Sequence, residues 1–174
     1  VTTVMLVIAK YGGKHNIVMN HAEDEIAAIN MAIGAAHMGV RSMTATAGGG
    51  FSLMVEALGM AGITETPLVV IEGQRPGPST GLPTWTDQAD LRFLMHASQG
   101  EFPRVIFLPG DVTECFEMTL KAFNTADKYQ MLCMILTDKY LGESVQSVAP
   151  FTHEYKVDRG LLMTMAEAMA LKQG

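Results

Sequence analysis

Two runs of this chain contain no polar side chain and limit what it can fold into. They are Pro67-Leu-Val-Val-Ile71 and Met131-Leu-Cys-Met-Ile-Leu136. A strand that is apolar at every position buries both its faces, which is the condition of parallel sheets covered by helices. Around these runs, strand-like and helix-like segments alternate. Asn16–Met19, Arg41–Thr46 and Arg104–Leu108 read as strands, while Phe51–Ala61, Asp87–Ala97 and a stretch from Asp111 to about Lys128 read as helices. Asp111-Val-Thr-Glu114 has the form of a capping box that opens the last of these. The expectation is an α/β fold of three layers, a mainly parallel sheet flanked by helices. Residues 1–143 would form this body, and residues 144–174 an extension with a small helix near Leu162–Leu171. Residues 1–10 read as a helix entered midway and stopped by Gly12-Gly13, which places the true N-terminus upstream.

One helix stands apart. His21–His37 opens with Glu23, Asp24 and Glu25 and then runs through apolar and small residues. Acids suit a helix start, where free N–H groups and the macrodipole favour negative charge. Asn20 as N-cap with Glu23 at the third helical position accounts for one of them. Glu25 directly precedes Ile26-Ala-Ala-Ile29, and apolar residues on every side predict a helix buried all round. An acid at the mouth of such a helix can be partly withdrawn from water, but on pattern alone the plainer reading, a solvated first-turn carboxylate, is the favoured one. Ala28, Ala32 and Ala36 recur at every fourth position and permit close approach of a neighbour.

Composition removes several functions. The formal charge is −6 and no basic stripe occurs, which argues against nucleic-acid binding. No apolar run reaches the length of a bilayer span, so no membrane role is expected. Hydrophobic content of 48% beside 17% charged residues points to surface covered by protein partners. Two cysteines, Cys115 and Cys133, read as reduced thiols of a cytoplasmic protein and are too few for a cubane iron–sulfur cluster. Fourteen methionines read as core filler. His15, His21, His37, His96 and His153 have no metal-ligand spacing, so no metal site is expected. His21 is placed to contact Glu25, His96 reads as a helix C-terminal cap or a rim residue, and Trp85 is expected to pack.

Ligands of parallel sheets bind beyond the carboxyl ends of the strands. Here those ends are the start of the Glu25 helix, the Gly48-Gly49-Gly50 turn, the loop of residues 73–85 and the Pro109-Gly110-Asp111 turn. The glycine turn could cradle an anion, with Glu72 at the right remove for a ribose hydroxyl. However, the dinucleotide fingerprint needs a third glycine where Leu53 stands, and no phosphate-loop Gly-Lys-Ser/Thr occurs. Arg75 is the only base in the 73–85 loop, stiffened by Pro76, Pro78 and Pro83, and a held guanidinium suits a carboxylate.

Four segments together resemble one family. They are Ala22-Glu-Asp-Glu-Ile-Ala-Ala28, Met43-Thr-Ala-Thr-Ala-Gly-Gly-Gly-Phe-Ser-Leu-Met-Val-Glu-Ala57, Gln74-Arg-Pro-Gly-Pro-Ser-Thr-Gly-Leu-Pro-Thr84, and Gly100-Glu-Phe-Pro-Arg104 with Pro109-Gly-Asp-Val-Thr-Glu-Cys-Phe116. From about residue 15 to Glu143 they resemble the α subunit of 2-oxoacid:ferredoxin oxidoreductases, in its thiamine-pyrimidine-binding domain. Gly100-Glu-Phe-Pro-Arg104 is similar to the branch acting on 2-oxoglutarate or a broad range of 2-oxoacids. The resemblance implies coenzyme A-dependent oxidative decarboxylation of a 2-oxoacid, with electrons passing to ferredoxin. It implies that Glu25 hydrogen-bonds N1′ of the aminopyrimidine of thiamine diphosphate, favouring the 4′-imino tautomer that removes the thiazolium C2 proton. Thr46, Gly48, Gly49 and Gly50 would line the pyrimidine pocket, and Arg75 would face the substrate carboxylate. The cofactor's diphosphate with Mg²⁺ and a [4Fe-4S] cluster would belong to a partner β subunit, and a γ-type domain or subunit would complete the assembly. The family's Tyr-Pro-Ile-Thr-Pro motif is absent, and Ala47 stands where a serine is common. The alternative left open is a non-catalytic module, Rossmann-like and nucleotide-binding or a scaffold.

Overall fold

The computed structural model describes residues 2–152 and 154–171, so Val1 of the first predicted helix and His153 lie outside the described residues. Four strands form one sheet: β1 (Met43–Ala47), β2 (Leu68–Gln74), β3 (Arg104–Phe107) and β4 (Leu132–Asp138). Their spatial order is β1-β2-β4-β3 and every pairing is parallel. Helices α1 (Thr2–Tyr11), α2 (Glu25–His37), α3 (Gly50–Ile63), α4 (Leu91–His96), α5 (Val112–Tyr129), α6 (Lys139–Glu143) and α7 (Met165–Leu171) complete the described chain.

The two apolar runs become the two central strands, and each buries both faces as its composition requires. On one face Leu68, Val70, Leu132, Met134 and Leu136 pack with Ile29 and Ile33 of α2, Phe51, Met54 and Leu58 of α3, and Leu94 of α4. On the other, Val69, Cys133 and Ile135 meet Ala122 and Ala126 of α5. The chain steps forward from β1 to β2 to β3 and then back to β4. Right-handed crossovers place the returning helix on the opposite face, and that is where α5 lies. Each fully buried Leu, Ile, Met or Phe contributes about 1.5–3 kcal/mol, so the sheet is the stable part of the molecule.

Several expectations are corrected. Asn16–Met19 forms no strand: Gly12–His15 is a 3-10 turn, Asn16 takes a left-handed conformation at φ 56°, and Ile17 donates its N–H to Gly12 O at 3.0 Å. Three apolar residues in a row do not make a strand when no ladder partner is beside them, and Val18 is 95% exposed. Helix α2 is capped by Asp24 rather than Asn20, the Asp24 Oδ1 accepting from Ala27 N at 2.8 Å. Glu25 is therefore the first helical residue. Nor is α2 buried all round in this chain: Ile29, Ala32, Ile33 and Ala36 are inside, whereas Ile26 and Met31 are exposed. Met54 and Met134 fill the core, but Met38, Met165 and Met169 are on the surface. Trp85 does not pack inside; it is 65% exposed. At α5 the Asp111 Oδ1 accepts from Glu114 N at 2.8 Å, while the Glu114 carboxylate turns to Gly110 N at 2.7 Å, one residue before the cap.

The C-terminal stretch docks on α5. The nearly buried carboxylate of Asp127 takes Arg41 Nε at 2.7 Å and Arg159 Nε at 2.8 Å on the same oxygen. Arg41 also donates to Asn124 Oδ1 and Asp158 O, and Tyr155 donates to Glu117 O. Removing one partner of such a cluster exposes the rest to the cost of uncompensated buried charge.

Candidate active site

At the carboxyl edge of β1 and β2 the strands stop being apolar. The register sets Thr46 of β1 beside Glu72 of β2 and Leu136 of β4, and it sets Gln74 beside Asp138. Thr46, Glu72 and Gln74 share the face occupied by α2 and α3, because they continue the alternate positions of Thr44, Leu68 and Val70. A polar layer thus caps the apolar core at the end of the sheet where ligands of parallel folds bind.

The start of α2 faces that layer. Thr46 Oγ1 donates to Glu25 Oε1 at 3.3 Å, and Glu25 is half-buried. Its second oxygen has no hydrogen-bond partner among the described residues. The glycine turn is shaped around the same groups. A Cβ on Gly50 would overlap Thr46 Oγ1 and stand 2.5 Å from Glu25 Oε1, so only glycine admits the carboxylate there. Gly48 has φ +60°, and a Cβ on it would sit 2.8 Å from Arg75 Cδ. The half-buried Arg75 therefore lays its methylene stem directly on the turn. Thr80 Oγ1, from the loop after β2, comes within 3.3 Å of where a Gly49 Cβ would be.

That loop is clasped at its base. Arg75 N donates to Asp90 Oδ2 at 3.2 Å, and Asp90 N donates to Gln74 Oε1 at 3.2 Å. This use of Asp90 also explains why α4 begins at Leu91 and not at Asp87. Glu25 and Thr46 thus meet at Gly50 and Arg75 lies on Gly48, with the side-chain-free turn joining the two contacts. The predicted residues Glu25, Thr46, Gly48, Gly49, Gly50 and Arg75 are brought together. His21 does not join them: it is exposed and makes no hydrogen bond or ion pair among the described residues. His96 is the exposed last residue of α4. A separate open groove lies beside Trp85, between Thr84–Thr86 and the α6 residues Lys139, Tyr140 and Glu143.

The residue that sequence reasoning misjudged is Glu72. It is 1% exposed, so it is not a surface acceptor for a ribose hydroxyl. Burial, and after it the negative charge of Asp90, pushes its carboxyl up to about 8, against smaller lowering effects from Gly48 N–H and Arg75. The sequence carried no signal for this: the apolar run stops at Ile71, and only the ladder with β1 and β4 shows that β2 continues to Gln74 and turns Glu72 into the core.

The chain is a parallel α/β domain with an acid, an arginine and a glycine turn gathered at the end of the sheet where such folds bind ligands. Comparison with known proteins gives the family. Residues 1–169 match the family described as “Pyruvate flavodoxin/ferredoxin oxidoreductase, thiamine diP-bdg”, a thiamine diphosphate-binding domain, and the chain belongs to it. It is 48% identical over 159 residues to the 2-oxoacid:ferredoxin oxidoreductase 1, subunit alpha, of Aeropyrum pernix, covering 91% of this chain and 25% of that protein. It is 42% identical over 143 residues to the 2-oxoglutarate synthase subunit KorA of Methanothermobacter thermautotrophicus, covering 82% of this chain and 37% of that one. Among solved structures it is similar, with a TM-score of 0.78 and 44% identity, to a 2-oxoglutarate:ferredoxin oxidoreductase from Magnetococcus marinus with 2-oxoglutarate, coenzyme A and succinyl-CoA bound. That match covers 80% of this chain and 24% of the other. The chain thus spans roughly a quarter to two fifths of these relatives. No helix among the described residues is long and apolar enough to cross a membrane.

Proposed function

We propose that this chain is the aminopyrimidine-binding part of the α subunit of a 2-oxoacid:ferredoxin oxidoreductase. The complete enzyme carries out coenzyme A-dependent oxidative decarboxylation of a 2-oxoacid and passes the electrons to ferredoxin in the cytoplasm. The observation that carries the reading is the Glu25 carboxylate, docked by one oxygen on Thr46 against the bare Gly50, with its second oxygen unpaired among the described residues. The residues present fit the pyrimidine end of thiamine diphosphate: a carboxylate for a ring nitrogen, and a turn that leaves room for a flat ring.

The chemistry that the bound cofactor supplies is carbanion stabilisation at the decarboxylating carbon. The chain's own residues bind and orient. Glu25 shares a proton with the ring nitrogen through its open oxygen, and Thr46 fixes the carboxylate's rotation by holding the other one. Gly48, Gly49 and Gly50 keep side chains out of the ring's path. Arg75, its stem held on Gly48 and its backbone held by Asp90, presents a guanidinium to the substrate carboxylate. The cofactor's diphosphate, its Mg²⁺ and a [4Fe-4S] cluster fall to a β subunit, and a γ-type domain or subunit completes the assembly. Two free cysteines fit a reducing compartment.

The reading is tested by assembling the complete α subunit with its β partner and following ferredoxin reduction. Reduction should require thiamine diphosphate, coenzyme A and a 2-oxoacid, with 2-oxoglutarate accepted. No reduction with any 2-oxoacid overturns it. Within that assay, Arg75→Lys is expected to raise KM for the oxoacid by about tenfold, with a smaller change in kcat, because a two-pronged grip becomes a point contact. An unaltered KM would mean that Arg75 serves the loop and not the substrate.

A further inference from the structure

Glu72 has no part in the function just described, yet it is the acid buried most completely. Neither of its carboxyl oxygens has a hydrogen-bond partner among the described residues, because Gly48 N–H, whose nearby dipole lowers the carboxyl slightly, is donated to Gly73 O. Buried polar groups are almost always paired, so an unpaired carboxyl buried at the carboxyl end of the sheet calls for a reason. Its neighbours come from every side. Thr46 lies one strand away on the same rung, about 4.8 Å across the ladder, with Glu25 beyond it. The turn contributes Gly48 N–H, which donates to Gly73 O at 3.1 Å. Arg75 follows on the same chain, Asp90 faces it from the segment before α4, and Leu136 of β4 is uncharged.

We infer that Glu72, buried and unpaired on the same rung as Thr46 and three residues before Arg75, is a positioning residue that leaves the guanidinium free for the substrate's carboxylate. This rests on the roles given to Arg75 and Glu25 above. At neutral pH the acid form dominates, since burial holds its titration near 8. Once ionised, Glu72 places an anion in low dielectric close to Arg75, and that anion competes with the substrate for the same cation. It also repels the Glu25 carboxylate across Thr46. The geometry therefore predicts that substrate grip weakens on the alkaline side.

The experiment measures kcat and KM for the 2-oxoacid from about pH 6 to about pH 10 in the assembled enzyme and in its Glu72→Gln variant. About one pH unit above the titration, only about a tenth of the sites keep Arg75 available, so KM in the wild type rises up to tenfold while kcat moves less. In Glu72→Gln, which carries an amide that cannot ionise, the ratio of alkaline to neutral KM should fall to near one. A wild-type KM that is flat across the range, or an alkaline rise that persists in Glu72→Gln, overturns the inference. If Arg75→Lys leaves KM unchanged at neutral pH, the reading of Arg75 fails instead, and the two failures are distinguishable. Should Glu72→Gln not assemble, difference infrared spectra of the wild-type complex decide. The carbonyl band of a buried carboxylic acid should vanish as pH rises through about 8; its absence at neutral pH refutes the proposal.

Discussion

Glu25→Gln in the assembled enzyme is expected to lower 2-oxoacid-dependent ferredoxin reduction by about 10²–10⁴-fold, the span of a lost proton-transfer group. The substitution is nearly isosteric. The amide oxygen still accepts from Thr46 Oγ1, and Asp24, not residue 25, caps the helix, so α2 and the sheet should be undisturbed. What changes is the open side of the group, where an oxygen able to share a proton becomes an amide. Size-exclusion profiles and unfolding curves should match the wild type, and only turnover should fall. Turnover within a few-fold of the wild type would end the catalytic role of Glu25.

Gly50→Ala is expected to produce a comparable loss without touching any group that does chemistry. Alanine is the better helix residue by about 0.5–1 kcal/mol, and Gly50 opens α3, so local propensity favours the change. The new methyl, however, takes the space of Thr46 Oγ1 and presses on Glu25 Oε1. Thr46 is buried on edge strand β1, laddered to β2 and covered by α2 and α3, and cannot retreat, so the carboxylate must. A displacement near 1 Å costs about 10²-fold in rate. Thr46→Ala in the same chain removes the first obstacle, and the double variant should recover part of the lost activity, a coupling that distant sites do not show. An active Gly50→Ala single variant would mean that the turn does not set the position of Glu25.

The layered architecture was legible because its strongest signal, full burial of two strands, depends only on composition over five or six residues. That Glu25 and Arg75 come together at the glycine turn was suggested by the family's motifs; pattern alone left Glu25 an ordinary first-turn acid and Arg75 an ordinary loop base. What could not be read depends on partners in space. Asn16–Met19 has strand-like residues but no ladder beside it. Asn20 and Asp24 are both good caps, and only the angle at which the chain enters α2 selects Asp24. Glu72 looked like the end of a strand because the apolar run stops at Ile71, whereas the ladder continues to Gln74. Its burial follows from neighbours on β1 and β4 that are far away in sequence.

The clasp between Gln74, Arg75 and Asp90 has a consequence for how such a chain can diversify. Two hydrogen bonds, each from a backbone N–H to a side-chain oxygen, fasten the ends of the segment between them, so its interior can be replaced without moving the backbone at Arg75. Lengthening a closed loop is cheap, about 0.6 kcal/mol for each doubling. Residues 76–89 are therefore an exchangeable cassette, free to change in length and composition while the clasp at its base stays constant.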